Sequence, residues 1–416
     1  MFTRLIELNS QQTLLLKGPA EITAERDELT ALAKPLKKSE SVTIRQGKIM
    51  PFETDRVATA KVTLRRGADY LLATGRVGVD IWRSIRDQVF APDLKCRRVV
   101  IVGVTDSGKS TLSTYLLNTA LSRGLAVGVI DEDVGQGDLA PPGCIGGKVL
   151  REQVFDLRDL EADFFGFVGA TSPRGVGSTV LGEVSRVKCR LEGAAVDFYA
   201  VNTDGYVAYD GVLSKVGVIR EIDPEIVVCL EDLGGGRTLY NRLREECDCN
   251  VVLAVRPEYS VKSVSERAGR RLSQYRRFLR GGQVSCIDLR RVGVSFLGRS
   301  YPLNMEVRGG SEVVRGDGSG NRLVFRARSL GYVEVIEGSW GSRVVLGLYS
   351  LRGMFVGLGS AGEASRLGRC VEVHSDFTVD VLTDSTAGVD TLFLSLIRLR
   401  QDIRREYTLP VVKTSL

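Results

Sequence analysis

Histidine is nearly missing from this chain: His374 is the only one in 416 residues. Imidazole acid–base chemistry is therefore not expected at a site formed elsewhere in the sequence. The eight cysteines are scattered singly apart from Cys247 and Cys249. Without two spaced Cys/His pairs a structural zinc site is not expected, and the cysteines read as free and buried. His374, within VEVHSDFTV, reads as a solvent-facing strand residue. Long apolar runs are lacking too. No stretch reaches the ~18 uninterrupted apolar residues that cross a bilayer, and the opening MFTRLIELNS holds no apolar core of a secretory signal. The expectation is a cytoplasmic protein with no membrane partner. Lysine is scarce, 13 against 44 arginines, in a chain of net charge +6. The planar arginine fork suits phosphate. A basic balance is compatible with a nucleic-acid partner, although a general preference for arginine gives the same composition.

What is present is a phosphate-binding pattern. Residues Gly103 to Thr111 read GVTDSGKST and directly follow the apolar run Val99-Val100-Ile101-Val102. This is G-x-x-x-x-G-K-[ST] at the end of a buried strand and before a helix. In that setting successive backbone N–H groups from Gly103 through Thr105, Asp106, Ser107 and Gly108 to Thr111 enclose phosphate oxygens, and the helix N-terminus adds positive potential. Lys109 reaches toward the β- and γ-phosphates and Ser110 toward Mg²⁺. Asp106 reads equally well as a turn residue of the loop.

At 416 residues the chain exceeds one ordinary core. Residues 1 to 90 carry short β-type runs, at Thr13–Lys17, Ser41–Arg45, Ala60–Leu64 and Tyr70–Thr74, separated by turn residues. Ile81 to Arg98 reads as a link. From Arg98 to Gly281 apolar strands (Val99–Val104, Ala126–Asp131, Val196–Asn202, Ile226–Leu230, Val251–Val255) alternate with helical segments (Ser110–Arg123, Leu181–Leu191, Val212–Ile222, Arg237–Glu246). That alternation predicts a parallel sheet covered on both faces, with ligands at the carboxyl ends of its strands. Beyond Gly281 short β runs return, at Arg322–Ala327, Val344–Leu348, Met354–Leu358 and Val371–Leu382, and Gly309–Asn321 reads as a loop or boundary.

Several segments fall where ligands are expected. The second core strand ends in Asp131-Glu132-Asp133-Val134-Gly135-Gln136. A carboxylate at the tip of a strand next to the phosphate loop can meet the ion held by Ser110. A second one can accept the proton of an incoming hydroxyl. The plainer alternative is an acidic turn. Thr171-Ser172-Pro173-Arg174 follows an apolar stretch and could touch a phosphate or be an ordinary loop. Tyr206, in NTDGYV, could stack on a base or pack locally. Ser265 to Arg280 holds six arginines, with Arg267, Arg270 and Arg277 on one helical face interrupted by Gln274. It reads either as a solvated basic helix or as an arginine lid that neutralises charge during phosphoryl transfer.

Taken together, GVTDSGKST, DEDVGQGDLAPPG, FVGATSP, VNTDGYV and SERAGRRLSQYRRFL resemble the polynucleotide 5′-hydroxyl kinases related to the kinase subunit of the eukaryotic pre-mRNA cleavage complex and to the nucleolar pre-rRNA kinase, in their archaeal form. The resemblance covers residues 98 to 281. It implies an α/β fold, with a P-loop kinase core built on a parallel sheet (residues 91–281) between a small N-terminal β domain (1–90) and a C-terminal β-rich domain (282–416). It implies ATP and Mg²⁺ as cofactors, with Gly103, Thr105, Asp106, Ser107, Gly108, Lys109, Ser110 and Thr111 at the phosphates and Ser110 and Asp131 at the metal. Lys109, Asp131, Asp133, Arg267 and Arg271 take catalytic roles, Asp133 as the base toward the 5′-hydroxyl. Gln136, Thr171, Ser172, Tyr206 and Arg270 contact the substrate. Tyr206 stands where many members carry a tryptophan that stacks on the terminal base. The implied acceptor is the 5′-hydroxyl end of RNA, with DNA ends as a further acceptor.

Two other readings compete: a non-catalytic ATP-binding scaffold of an RNA-processing complex, and an acceptor-independent ATPase. A GTPase is disfavoured because no [NT]-K-x-D segment lies near Val251–Pro257. The lysine that often opens the loop of partner-regulated ATPases is replaced by Val104.

Overall fold

Val99, Val100, Ile101 and Val102 are fully buried, as a strand covered on both faces requires. In the computed structural model, which describes residues 1–75, 79–208, 210–232, 238–255, 263–301, 305–308, 312–328, 330–339, 341–360 and 362–415, they form the strand Arg98–Gly103. Four more parallel strands accompany it, giving the lateral order Val127–Asp131, Phe198–Asn202, Arg98–Gly103, Ile226–Glu231, Asn250–Val255. All five expected core strands are present, each within two residues of its expected ends. One expectation about adjacency changes. The strand ending at Asp131 is not the immediate neighbour of the phosphate-loop strand, because Phe198–Asn202 lies between them.

The fold is α/β, a P-loop core flanked by β-rich segments at both ends. Two compact units divide the chain: Met1–Asp131 with Gly147–Asp163 and Lys188–Glu266, and Glu132–Gly146 with Phe164–Val187 and Arg267–Leu416.

In the first unit, residues 2–64 build a four-stranded antiparallel sheet in the order Phe2–Leu8, Ala58–Leu64, Ala20–Arg26, Ser41–Ile44. A second sheet sets Gln12–Lys17 between Ile49–Phe52 and Asp69–Thr74. The segment expected to be a link contains the helix Val79–Val89, which buries Val79, Trp82, Ile85 and Val89. That three- and four-residue spacing is one helical face, and Trp82 meets Tyr115 of the helix Lys109–Ser122 at 5.9 Å. Asn118, fully buried in that helix, donates to Leu32 O at 2.7 Å and Val154 O at 2.8 Å and accepts from Val154 N at 2.9 Å. One amide thereby satisfies three backbone groups and fastens the N-terminal β segment to the nucleotide-loop helix.

In the second unit a seven-stranded sheet runs from Gln283–Asp288 through Thr378–Thr383, Glu363–Val373, Phe355–Ser360, Thr391–Leu394 and Gly293–Phe296 to Arg299–Tyr301. A six-stranded sheet includes Glu312–Gly316 paired with Arg322–Arg326. The expected loop at Gly309–Asn321 is thus half strand. Its turn is Asp317–Asn321, where the Asp317 carboxylate accepts from Ser319 N and Asn321 N, and residues 309–311 lie outside the described residues. Val371–Leu382, read as one run, is a hairpin that turns at residues 374–377. His374 sits in that turn, half-exposed and 3.1 Å from Asp380. Of the cysteines, Cys144, Cys229 and Cys370 are buried, while Cys189 and Cys286 are exposed. Phe167, Tyr275, Phe355, Phe393 and Ile397 form an aromatic-rich core.

Glu183, on the helix Gly177–Gly193, is mostly buried under Gly166. Burial pushes its carboxyl up to about 7, with Arg186 pulling down and Glu363 pushing up. The folded protein then holds a proton that the unfolded chain, at 4.5, has already lost. Proton uptake by the folded state makes stability fall as pH rises from about 4.5 to about 7. Glu183→Gln is expected to flatten this slope and to raise stability above pH 7 by about 1–3 kcal/mol. Urea unfolding at pH 5 and pH 8 checks it, and an unchanged difference between the two pH values would refute it.

Candidate nucleotide and acceptor site

In the first unit the phosphate loop leaves the central strand at Gly103. A side chain there would place Cβ 2.7 Å from Leu230 O on the adjacent strand, so only glycine lets the chain turn here. Asp106 (φ 61°) and Gly108 (φ 95°) both hold left-handed backbone. Such conformations turn successive N–H groups to the same side, the concavity that anions fill. Asp106 therefore serves as a turn residue within the loop. The helix opens at Lys109, with Thr111 N and Leu112 N both bonded to Gly108 O. Lys109 is 6% exposed, and its ammonium donates to Gly103 O at 2.8 Å and Val104 O at 2.7 Å. The loop thus curls around its own lysine. Ser107 Oγ is buried with no hydrogen-bond partner, an unmet donor of the kind a phosphate oxygen satisfies.

Asp131 ends its strand buried, and Asn202, at the end of the intervening strand, donates Nδ2 to Asp131 Oδ1 at 2.9 Å. The partner oxygen, Asn202 Oδ1, is buried and unpaired. A carboxylate oriented by an amide, beside an unpaired amide oxygen, suits a hard cation and its waters. Asn202 escaped the sequence reading because its partner is 71 residues away.

The segment after Asn202 packs on the phosphate loop. Thr203 Oγ1 donates to Ile101 O at 2.8 Å. A Cβ on Gly205 would lie 2.2 Å from Thr105 Oγ1 and 2.5 Å from Thr105 N, so the two loops touch backbone to backbone. Tyr206 is half-buried. Its amide donates to Asp204 Oδ1 at 2.6 Å, and its hydroxyl donates to Asp210. Asp204 in turn pairs with Lys215 Nζ at 2.6 Å, with Lys215 fully buried in the helix Gly211–Ile222. A lone lysine in the run VLSKVGVI was the available signal for this pair.

Breaking that pair is expected to be costly. Lys215→Met keeps the stem but leaves a buried carboxylate, for a loss of about 3–5 kcal/mol. Adding Asp204→Asn removes the uncompensated charge and is expected to restore part of it. Chemical denaturation of both variants checks this. A single variant as stable as the parent would show that the pair does not anchor the Tyr206 loop.

In the second unit Asp133 closes a turn, Oδ1 accepting from Gly135 N at 3.0 Å and Gln136 N at 2.8 Å. Gly135 lies close to the Thr171 backbone: a Cβ there would be 2.8 Å from Thr171 O. Ser172 is exposed and accepts from Arg174 N at 3.3 Å. The helix Val264–Phe278 packs against the Asp133 turn. Arg270 Nη2 donates to Gln136 O at 2.6 Å and to Asp138 Oδ1 at 2.5 Å. Gln274 donates to Gly137 O and Asp138 O at 3.3 Å, and Gln136 Nε2 reaches Arg267 O at 3.4 Å. Arg270 and Gln274 are therefore packed rather than solvated, and Arg267 touches the same turn through its carbonyl. Arg271 points elsewhere, to Glu406. Thus one unit brings together the phosphate loop, Asp131 and Tyr206. The other brings together Asp133, Gln136, Thr171, Arg267 and Arg270, with Arg271 turned to a different partner.

The model of the family described as "mRNA cleavage and polyadenylation factor CLP1 P-loop" matches residues 103–281. A polyribonucleotide 5′-hydroxyl-kinase of Pyrococcus abyssi is 26% identical over 331 residues, 74% of this chain and 89% of that protein. Another, of Thermococcus kodakarensis, is 30% identical over 214 residues, 50% of this chain and 59% of that protein. The polyribonucleotide 5′-hydroxyl-kinase Clp1 of Gallus gallus is 30% identical over 176 residues, 39% of this chain and 40% of that protein. Among solved structures, a Clp1p–Pcf11p complex superposes with TM-score 0.67 over 99% of both chains at 11% identity, a shared fold.

Proposed function

We propose that the chain, whose residues 103–281 match the CLP1 P-loop family model, is an ATP-dependent polynucleotide kinase that phosphorylates the 5′-hydroxyl end of RNA. The observation that carries this reading is Lys109, buried at the mouth of a complete phosphate loop and bonded to its carbonyls, in a chain whose relatives are named polyribonucleotide 5′-hydroxyl-kinases.

The residues divide the work by chemistry. The N–H groups from Gly103 to Thr111 and the Lys109 ammonium bind the ATP phosphates. Ser110 and Asp131 would hold Mg²⁺, with Asn202 orienting the Asp131 carboxylate. Among the described residues no group of three or more His, Cys, Asp or Glu side chains could hold a metal. Phosphate and water would therefore supply the remaining ligands, as is usual for Mg²⁺. When bound, the ion would supply positive charge to the transferring phosphoryl group. Asp133 accepts the hydroxyl proton. Gln136, Thr171, Ser172, Tyr206 and Arg270 position the acceptor. Arg267 and Arg271 stabilise charge on the phosphoryl group, and for Arg271 this requires exchange of its Glu406 partner. Positioning and charge neutralisation carry most of the acceleration in phosphoryl transfer. Among the described residues no helix is long and apolar enough to cross a membrane, and we place the enzyme in the cytoplasm.

The decisive experiment incubates the protein and Mg²⁺ with γ-labelled ATP and 5′-hydroxyl RNA, 5′-hydroxyl DNA or no acceptor. Label on the RNA 5′ end is expected, and label on DNA extends the acceptor range. Hydrolysis independent of acceptor would make the protein an ATPase, and neither product would make it a scaffold.

A further inference from the structure

The second unit contains a cavity of about 530 Å³ whose lining includes Arg352, Arg369, Arg398 and Arg400, with Glu372 as its only carboxylate. None of these belongs to the residues assigned above. Glu372 is committed to Arg352 at 3.1 Å across a well-exposed contact, where an ion pair contributes little.

Two of the other guanidiniums, those of Arg369 and Arg398, are held by backbone. Arg369 is 6% exposed; its Nη1 donates to Arg400 O at 2.9 Å, and its Nε is buried with no partner. Arg398 donates Nε and Nη2 to the single carbonyl of Arg352, at 3.1 and 2.9 Å. Carbonyl dipoles orient a guanidinium but do not cancel its charge. Burial pushes both Arg369 and Arg398 below the usual arginine value, with no carboxylate opposing the shift. Buried cations are ordinarily paired, and the buried Arg369 is bonded to a carbonyl with no carboxylate acting on it.

The scaffold is rigid: Gly353 N bonds Cys370 O at 2.8 Å, and Leu399 N bonds Gly353 O at 2.7 Å. Tyr407 lies directly across from Arg398 in the pairing of Ile397–Leu399 with Glu406–Thr408, lines the same cavity and is 50% exposed.

The geometry points to a binding site for a phosphate of single-stranded RNA, with an adjacent base stacked on Tyr407. Arginines from separate chain segments, Arg369 buried, Arg398 partly buried and Arg352 and Arg400 exposed, beside an exposed ring are the elements that track a nucleic-acid backbone: charge for the phosphate, a π-face for any base. The site extends the polynucleotide reading to a second surface, where it would hold RNA beyond its reacting end.

The test uses the full-length protein without ATP and a 20-nucleotide single-stranded RNA labelled at its 3′ end, read by fluorescence anisotropy across a salt series. Arg352→Gln with Arg400→Gln alters only exposed side chains. The backbone carbonyls of both residues, which hold Arg398 and Arg369, remain. The dissociation constant is expected to rise on the order of 10-fold and the logarithmic salt slope to shrink by about 1. Tyr407→Ala is expected to weaken binding by several-fold with the slope unchanged. Turnover on a two-nucleotide acceptor is expected to stay at the parent level in all variants. Parental affinity and slope in the double variant would overturn the assignment. So would a variant that loses binding of AMP or inorganic phosphate yet keeps its RNA affinity, which would give the pocket to a free phosphate. If the protein transfers no phosphoryl group but its RNA affinity falls in the variant, the kinase reading fails and this one stands.

Discussion

Lys109→Ala is expected to lower phosphoryl transfer by at least about 10³-fold while the protein stays folded. The ammonium now lies between two loop carbonyls, 2.8 and 2.7 Å away, and a γ-phosphate entering the loop would exchange carbonyl dipoles for full negative charge. That gain grows as charge shifts toward the β–γ bridge in the transition state, so the loss falls on turnover more than on nucleotide binding. Truncation leaves the two carbonyls short of a donor, at a cost of about 1–3 kcal/mol, which the extensive apolar core of that unit tolerates. Lys109→Met, which fills the channel without charge, is expected to match Lys109→Ala in activity and exceed it in stability. Transfer rates, binding of a fluorescent ATP analogue and thermal unfolding separate these effects. Retained transfer in either purified variant would remove the loop from the reaction.

The parts of the molecule that could be read from residues alone are those set by local pattern. Parallel core strands are buried on both faces and so appear as apolar runs, which is why Arg98–Gly103 and Ile226–Glu231 were found nearly to the residue. The helix Val79–Val89 carries the helical period in Val79, Trp82, Ile85 and Val89 with charged residues between them, so its pattern was present in the stretch read as a link. Lateral strand order is not a local property, so the insertion of Phe198–Asn202 beside the loop strand was not visible. With it went the Asp131–Asn202 pair. The arginine helix was legible as a helix, and its row of Arg267, Arg270 and Gln274, of which Arg270 and Gln274 pack by their side chains, follows the helical period. What the period could not supply was the partners: Asp138 for Arg270, and Glu406 for Arg271. These are contacts over more than a hundred residues, between side chains that read locally as ordinary surface charge.

Asp133→Asn tests the assignment of the base and can keep the two turn bonds that Asp133 Oδ1 accepts. Asp133 Oδ1 accepts the Gly135 and Gln136 amides at 3.0 and 2.8 Å, and the carbonyl oxygen of asparagine can accept the same two bonds. The turn is therefore expected to keep its shape, with Arg270 still bonded to Gln136 O, while the group loses the charge and basicity that attract a hydroxyl proton. Asp133→Ala would delete the turn contacts as well and confound the two effects. The 5′-hydroxyl is far too weak an acid to ionise before attack, so its proton leaves as the phosphoryl group arrives, and a positioned base contributes about 10²–10⁴-fold. A fall of that size in turnover is expected for Asp133→Asn, with nucleotide affinity and unfolding midpoint within error of the parent. The residual rate of the variant should also rise more steeply with pH than that of the parent, because solvent hydroxide would take over the proton. Normal turnover would move the base to another group. A variant that loses nucleotide binding along with turnover would place Asp133 at the phosphates or the metal instead.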